Sequence, residues 1–220
     1  VAMVLDLLFN HNIPANQIEL WHHEVDGAGE DLWDWKCTTS YCQAFAKEFG
    51  LKMLFSYRKG GITREIFRNN EGLQDVYYQT ETGGKYHLSK SDIPKPENRK
   101  TKQMFPAKSA SLDTRWCSAS AKISIMSKVI NAIEEMKNVS AIICTGERRM
   151  ESTNRANYLQ VEPYNFARQR QIITWRPVID WTEEDVWKLY EQFHVQPHPA
   201  YEIGWGRCWC QLCIFSSPNH

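Results

Sequence analysis

No charge of one sign dominates this chain. Lys plus Arg and Asp plus Glu both number 26 in 220 residues, so the overall balance gives no case for nucleic acid or membrane binding and leaves any such role to local patches. Long apolar runs are also missing. Nothing approaches the roughly 20 residues that a bilayer-crossing helix needs. The opening VAMVLDLLFN is broken by Asp6 and lacks the basic leader and small-residue cleavage site of a secretory signal. No internal repeat is present. The seven cysteines, an odd number, are split between a crowded group at Cys208, Cys210 and Cys213 and scattered positions at Cys37, Cys42, Cys117 and Cys144. That is poor material for a disulfide framework and better material for a metal or redox site in a reducing compartment. The expectation is a soluble, cytoplasmic protein with no membrane association. Its length suits one sizeable α/β domain.

Periodicity supports that class. Val1, Val4, Leu5 and Leu8 share a helical face, so the chain begins inside an element. NQIELWHHEVDG reads as a strand running into an acidic, glycine-bearing loop. TTSYCQAFAKEFG reads as a helix, with Tyr41, Phe45 and Phe49 spaced by four and Gly50 as its stop. LKMLFSY, SAIICTGE and QIITWRPV are strand candidates. ISIMSKVINAIEEMKN and TEEDVWKLYEQF are helix candidates, the latter with Thr182 and Asp185 as a capping pair. Strands alternating with helices predict a Rossmann-like, doubly wound, mainly parallel sheet with helices on both faces. Residues 1–80 and 115–193 form its two parts. Residues 81–114, rich in Lys, Ser, Pro and Gly, form a flexible insertion, and residues 194–220 a Cys-rich C-terminal segment.

In such sheets ligands sit beyond the carboxyl ends of the strands. Two loops there have the composition of a nucleotide site. In HHEVDG, His23, Glu24, Asp26 and Gly27 offer an acidic group and a glycine, as a ribose or base contact requires; an exposed polar turn is the plain alternative. In TGERRMESTNR, Gly146 permits a sharp turn. Arg148, Arg149 and Arg155 bring planar cationic forks suited to phosphate or sulfate, with Glu147 and Glu151 placed to hold those guanidiniums or to join a metal shell, and Ser152 beside them. A surface helix of paired charges is the alternative there.

The third feature is the cysteine cluster. Cys210 and Cys213 have C-x-x-C spacing, Cys208 adds a third thiol, and Cys117 is the best fourth, because Arg115 and the helix start after it would favour a thiolate. Structural zinc and an iron–sulfur cluster draw on the same residues. Cys37, Cys42 and Cys144 lie on or beside apolar faces and read as core thiols.

The blocks RWCSASAKI, TGERRMESTNR, WRPVIDWTEEDVW and HPAYEIGWGRCWCQLCIFSS, in that order, resemble the phosphoadenosine phosphosulfate (PAPS) reductase family within the adenine nucleotide α-hydrolase-like superfamily. The stretch DWKCTTSYCQAFAKEFGLKMLFSYRKGGITREIFR resembles an uncharacterised bacterial and phage branch of it. The resemblance implies a Rossmann-like sheet that binds an adenine nucleotide, PAPS or ATP, with a phosphate-holding PP-loop expected just before Val1. It places the HHEVDG loop by the nucleoside, the GERRMES block by the phosphates or sulfate, and the R-W-C block with C-x-x-C at a four-iron four-sulfur cluster, or zinc in its place. Cluster-bearing adenylyl sulfate reductases have a double cysteine where this chain has Cys117 followed by Ser118, and Cys208 would restore the count. Thiol-dependent reduction of PAPS to sulfite, using a thioredoxin-like reductant, is one implied activity. Adenylation with sulfur transfer from a sulfur donor to a small molecule or to nucleic acid, contacted through the basic insertion, is another. A non-catalytic nucleotide-binding scaffold with structural zinc is a third. No catalytic residue is singled out.

Overall fold

The computed structural model describes residues 1–29, 31–69, 75–79, 85–88, 103–109, 111–133, 140–164 and 171–216. In chain order the elements are α1 (Ala2–Leu5), running into a π-helical turn at Asp6–Asn10; β1 (Glu19–Glu24); α2 (Thr38–Glu48); β2 (Lys52–Arg58); α3 (Gly61–Ile66); β3 (Val76–Gln79); and β4 (Lys85–Leu88). There follow α4 (Trp116–Ser118), a π-helical turn at Ala119–Ile123, α5 (Ser124–Ala132), β5 (Ala141–Cys144), α6 (Thr153–Ala156), β6 (Val161–Pro163), β7 (Ile172–Trp175), α7 (Glu183–Gln192) and α8 (Pro199–Glu202). The fold is α/β. No helix among the described residues is long and apolar enough to cross a membrane.

The chain divides into two compact units, Val1–Ile18 with Ile133–Pro197, and Glu19–Ala132 with His198–His220. The second unit is built on a sheet of order β1-β2-β3-β4. β1 and β2 are parallel, with α2 as the crossover, whereas β3 and β4 add on antiparallel. From Met53 onward every residue of β2 is buried, which explains why LKMLFSY is nearly continuous in apolar residues. The exception in kind is Arg58, 1% exposed. Its Nε donates to the Ser120 carbonyl at 3.2 Å and its Nη2 to Ser124 Oγ at 2.8 Å. Burial lowers its pKa while Glu65, itself buried, acts in the opposite sense.

Beyond the ends of β1 and β2 two backbones nearly touch. Gly27 has φ +66°, and a Cβ there would stand 2.1 Å from the Arg58 carbonyl oxygen; one on Gly61, φ +52°, would stand 2.1 Å from that of Val25. Hydrogen bonds from Gly60 N to Gly27 O, 3.1 Å, and from Ile62 N to Val25 O, 2.9 Å, close the pinch. Beside it Val25, Trp33, Ile62, Ile66, Trp116 and Ala121 form a core cluster, with Cys117 and Cys210 packed against it.

The first unit has a sheet of order β5-β7-β6, with β5 and β7 parallel and β6 antiparallel to β7. The Thr182 hydroxyl accepts from Asp185 N, and the Asp185 carboxylate accepts from Thr182 N, so the expected pair is a complete capping box on α7. Phe9 stacks on Phe193 at 4.4 Å, and α1 packs against α7.

Three expectations change. The sheets are mixed rather than mainly parallel, since β2–β3, β3–β4 and β6–β7 are antiparallel. The stretch expected as an insertion contains β4, paired to β3; its Lys- and Pro-rich middle, 89–102, lies outside the described residues. The helix predicted over ISIMSKVINAIEEMKN is α5 up to Ala132, and residues 134–139 again lie outside.

Candidate functional site

In the second unit, the loop after β1 folds around Asp26. Its Oδ1 accepts from Leu32 N at 3.1 Å and Trp33 N at 2.9 Å, and its Oδ2 from Asp34 N at 2.8 Å. The carboxylate expected at a ribose is therefore occupied with ordering its own loop, and Gly27 is fixed by the backbone pinch. His23 Nδ1 lies 2.7 Å from Ser56 Oγ. Burial, then His22 and Lys122, push its pKa down to about 4, which keeps the ring neutral at physiological pH. Burial also raises the pKa of Glu24, against His22 and with support from the surrounding carboxylates. Past this loop, His22 Nε2 lies 3.3 Å from Asp34 Oδ2. Burial works against the Asp34 carboxylate, but bonds from His22, Trp35 N and Thr38 hold its pKa below the ordinary value.

The arginine block lies in the first unit, after β5. Arg148 Nε reaches Glu151 Oε1 at 3.4 Å and Arg155 Nη1 pairs with Glu151 Oε2. One carboxylate thus stands between both guanidiniums. Arg149 turns away to Asp180 and the Tyr158 carbonyl. Ser152 caps α6 by accepting from Arg155 N, and Gly146 has open space where a Cβ would be. Glu147 is bound to Arg176, at 2.7 Å, rather than to Arg148. Arg176, 6% exposed, also reaches Glu162 at 2.6 Å and the Leu159 carbonyl at 2.7 Å, and lies over the Tyr158 ring.

All four candidate metal cysteines belong to the second unit, with free thiols. Cys117 and Cys210 flank one core cluster, and Lys122 Nζ donates to Cys210 Sγ at 3.6 Å. Burial opposes the Lys122 ammonium, yet Cys210 and Asp34 hold its pKa above the usual lysine value. Burial raises the Cys117 and Cys210 thiols and pushes Cys208 up to about 12. For Cys117 this corrects the expected thiolate: α4 has only three residues, Arg115 lies over the Phe215 ring 5.7 Å away, and desolvation prevails. Among the described residues no three His, Cys, Asp or Glu side chains come together as a set able to hold a metal ion. The four thiols are not gathered into one set in this conformation.

Residues 70–215, which take in the arginine block and all four of these cysteines, match the phosphoadenosine phosphosulfate reductase domain. The chain belongs to this family. It is 31% identical over 113 residues to an uncharacterised 37.8 kDa protein of Escherichia phage 186, across 50% of this chain and 33% of that protein. It is 38% identical over 69 residues to an adenosine 5′-phosphosulfate reductase of Burkholderia cepacia, across 31% of this chain and 26% of that protein. The matches thus span about a quarter to a third of the length of these relatives. Membership makes a nucleotide-sulfate substrate the family's theme and an enzyme its usual form.

Four side chains with evident roles escape a reading of the sequence: Lys122, Arg176, His198 and Asp34. Lys122 had a readable signal, a lysine five residues after a cysteine in RWCSASAK. Of the cysteines read as core thiols, none is fully buried. Cys42 is pushed up to about 11, by burial first, and Cys144 is raised by burial. Cys37 stands at the N-cap position of α2 without a side-chain capping bond, and its Sγ lies 3.7 Å from His198 Nε2.

Proposed function

We propose that this protein binds an adenine nucleotide bearing a sulfate ester, PAPS or adenylyl sulfate, and reduces that sulfate to sulfite with thiols. The observation that carries this reading is the family match across 70–215, a span that includes the arginine block and the cysteine segment. The reaction takes two electrons. One thiol attacks the sulfate sulfur and displaces the nucleotide phosphate; a second thiol, from a thioredoxin-like reductant, attacks the first, leaving a disulfide and releasing sulfite. Arg148 and Arg155 are proposed to neutralise sulfate or phosphate oxygens, an incoming anion replacing Glu151 between them. His23, Glu24 and the Asp26–Gly27 turn are proposed on the nucleoside side, Asp26 and Gly27 by fixing the loop rather than by contact. Unpaired thiols of this number suit a reducing, cytoplasmic setting.

The test is sulfite release from PAPS, adenylyl sulfate and, as a control, ATP, with a dithiol protein as reductant. Sulfite from either sulfate ester, lost by about tenfold or more in Arg155→Ala with the fold intact, supports the reading. Binding of ATP with pyrophosphate release and no sulfite rejects it. Iron, zinc and acid-labile sulfide analysis of anaerobically prepared protein tests whether Cys117, Cys208, Cys210 and Cys213 gather around a metal: near-equal iron and sulfide indicate a cluster, and metal-free, active protein excludes one.

A further inference from the structure

A second sulfur feature involves Cys37, which is not one of the four candidate metal cysteines, although it lies near enough to Cys208 to act on its charge. Cys37 is partly exposed at the N-cap of α2, an 11-residue helix. His198, 4% exposed, caps α8 by accepting from Ala200 N at Nδ1, 3.1 Å away. With that lone pair engaged, the neutral ring carries its proton on Nε2. Burial lowers the His198 pKa, against the pull of Asp34, so the ring stays neutral. Nε2 faces two acceptors, Cys37 Sγ at 3.7 Å and Thr38 Oγ1 at 3.3 Å. The Thr38 hydroxyl gives its own proton to Asp34 Oδ1 at 3.0 Å, which leaves its oxygen free to accept. Trp35 and Tyr41 hold the imidazole edge-on at 6.4 and 5.2 Å.

His198 is therefore a fixed N–H donor aimed at a half-exposed sulfur, and it has no free lone pair with which to act as a base. A donor so placed, together with the helix start, stabilises negative charge on Sγ as that sulfur attacks or leaves. We propose that Cys37 is a reactive thiol for electrophilic sulfur, with His198 as its positioning residue. With a disulfide RS–SR, Cys37 Sγ forms a bond to one sulfur, the S–S bond breaks, and RS⁻ leaves with the electron pair. Resting on the reductase reading above, the physiological electrophile is the sulfate-ester sulfur. There an S–S bond forms, the S–O bond to phosphate breaks with the electron pair leaving on the phosphate oxygen, and Cys37 is left carrying an S-sulfonate (S–SO₃⁻) until a second thiol attacks Sγ and sulfite departs with the bonding pair.

The experiment is time-resolved labelling of the full chain with the chromogenic aryl disulfide 5,5′-dithiobis(2-nitrobenzoate), followed by peptide mapping. Cys37 is expected to label first. His198→Ala should slow it roughly tenfold in protein that still folds, with a midpoint lowered by loss of the buried α8 cap, and His198→Gln, which keeps an N–H donor, should recover part of the rate. Labelling of another cysteine first, or an unchanged rate in a folded His198→Ala protein, overturns the proposal. Should that variant not fold, Thr38→Val decides: relieved of the competing acceptor, the imidazole N–H belongs to sulfur alone, so faster labelling supports the assignment and an unchanged or slower rate rejects it. Incubation with adenylyl sulfate is the separate arm. A gain of about 80 Da on the Cys37 peptide, the mass of one SO₃ group by elementary bookkeeping, extends the site to the sulfate ester. Disulfide labelling without that adduct leaves the reactive thiol standing and counts against the reductase reading alone.

Discussion

In the first unit arginine ends on carboxylate: Arg148 and Arg155 on Glu151, Arg149 on Asp180, and Arg176 on Glu147 and Glu162. In the second, Arg58 reaches a carbonyl and a hydroxyl with Glu65 and Asp75 acting on its charge, Arg115 lies over a phenyl ring, and Lys122 donates to a thiol. Arg68 on Glu65 and Lys52 on Glu19 are carboxylate pairs there as well. The contrast sets what each region offers a ligand. An anion approaching Arg148 and Arg155 must displace Glu151, so its net gain is the difference between two ion pairs. Around Lys122 the cation faces a weak, polarizable acceptor, and a charge on sulfur is worth more there.

The largest effect expected concerns backbone rather than charge. Gly27→Ala places a methyl on a carbonyl at positive φ and should cost about 3 kcal/mol or more, whereas Gly146→Ala, with open space around it, should stay within about 1 kcal/mol. Urea denaturation of both variants measures the gap, and equal midpoints would erase the distinction between a fixed loop and a loose one. Next, Arg176→Ala should destabilise by about 2–3 kcal/mol, because it strands Glu147 and Glu162 beside a buried gap. Arg115→Ala, which leaves no carboxylate behind, should cost less than half of that; similar losses would show that compensation by carboxylate does not separate the units.

The third effect is one of pH. His23 has its pKa lowered to about 4 in the folded protein, against about 6.5 when unfolded. Below the unfolded value the unfolded chain takes up a proton that the folded one refuses. Stability is then complete above about pH 6.5 and falls by roughly 2 kcal/mol, after allowance for solvent screening, as pH drops toward 4. Unfolding followed across that range in wild type and His23→Gln checks the sign, since the variant should have the flatter profile. The smallest effect is in the first unit, where Thr182→Ala removes the α7 cap at a cost of about 1 kcal/mol. Its melting midpoint should shift by only a few degrees.

The sequence reveals those parts of the fold whose cause is local. β5, β7 and the capped α7 each announce themselves within a dozen residues, by an apolar run or by Thr182 and Asp185. β3 and β6 do not: VYYQ lies in a polar stretch and gains its structure from pairing with β2, and VEP is three residues ending in proline, held by β7. The same divide runs through the candidate site. That the Cys117 block meets the C-x-x-C segment is implied by the family resemblance and not by cysteine spacing; Cys117 and Cys210 do pack on one core cluster, without a set of three metal-ligating side chains among the described residues. His198 was not legible, because HPAYE shows no period, and what matters is the lone pair that Ala200 N occupies. Glu151 was foreseen as a holder of arginine and is one, whereas Glu147 holds Arg176, a residue hidden inside a strand-like run.

The π-helical turn at Ala119–Ile123, where Ser124 N donates to the Ala119 carbonyl, has a further consequence. In an ordinary α-helix, positions five apart point about 140° away from each other. A turn closed from i to i+5 brings them toward one side, and Cys117 and Lys122 are five apart, near enough for the ammonium to favour charge on the thiol. One surplus residue thus acts as an aiming device for the amine that meets Cys210. Removing a residue between Ala119 and Ala121 would keep the helix and every sulfur while swinging the cation off its target.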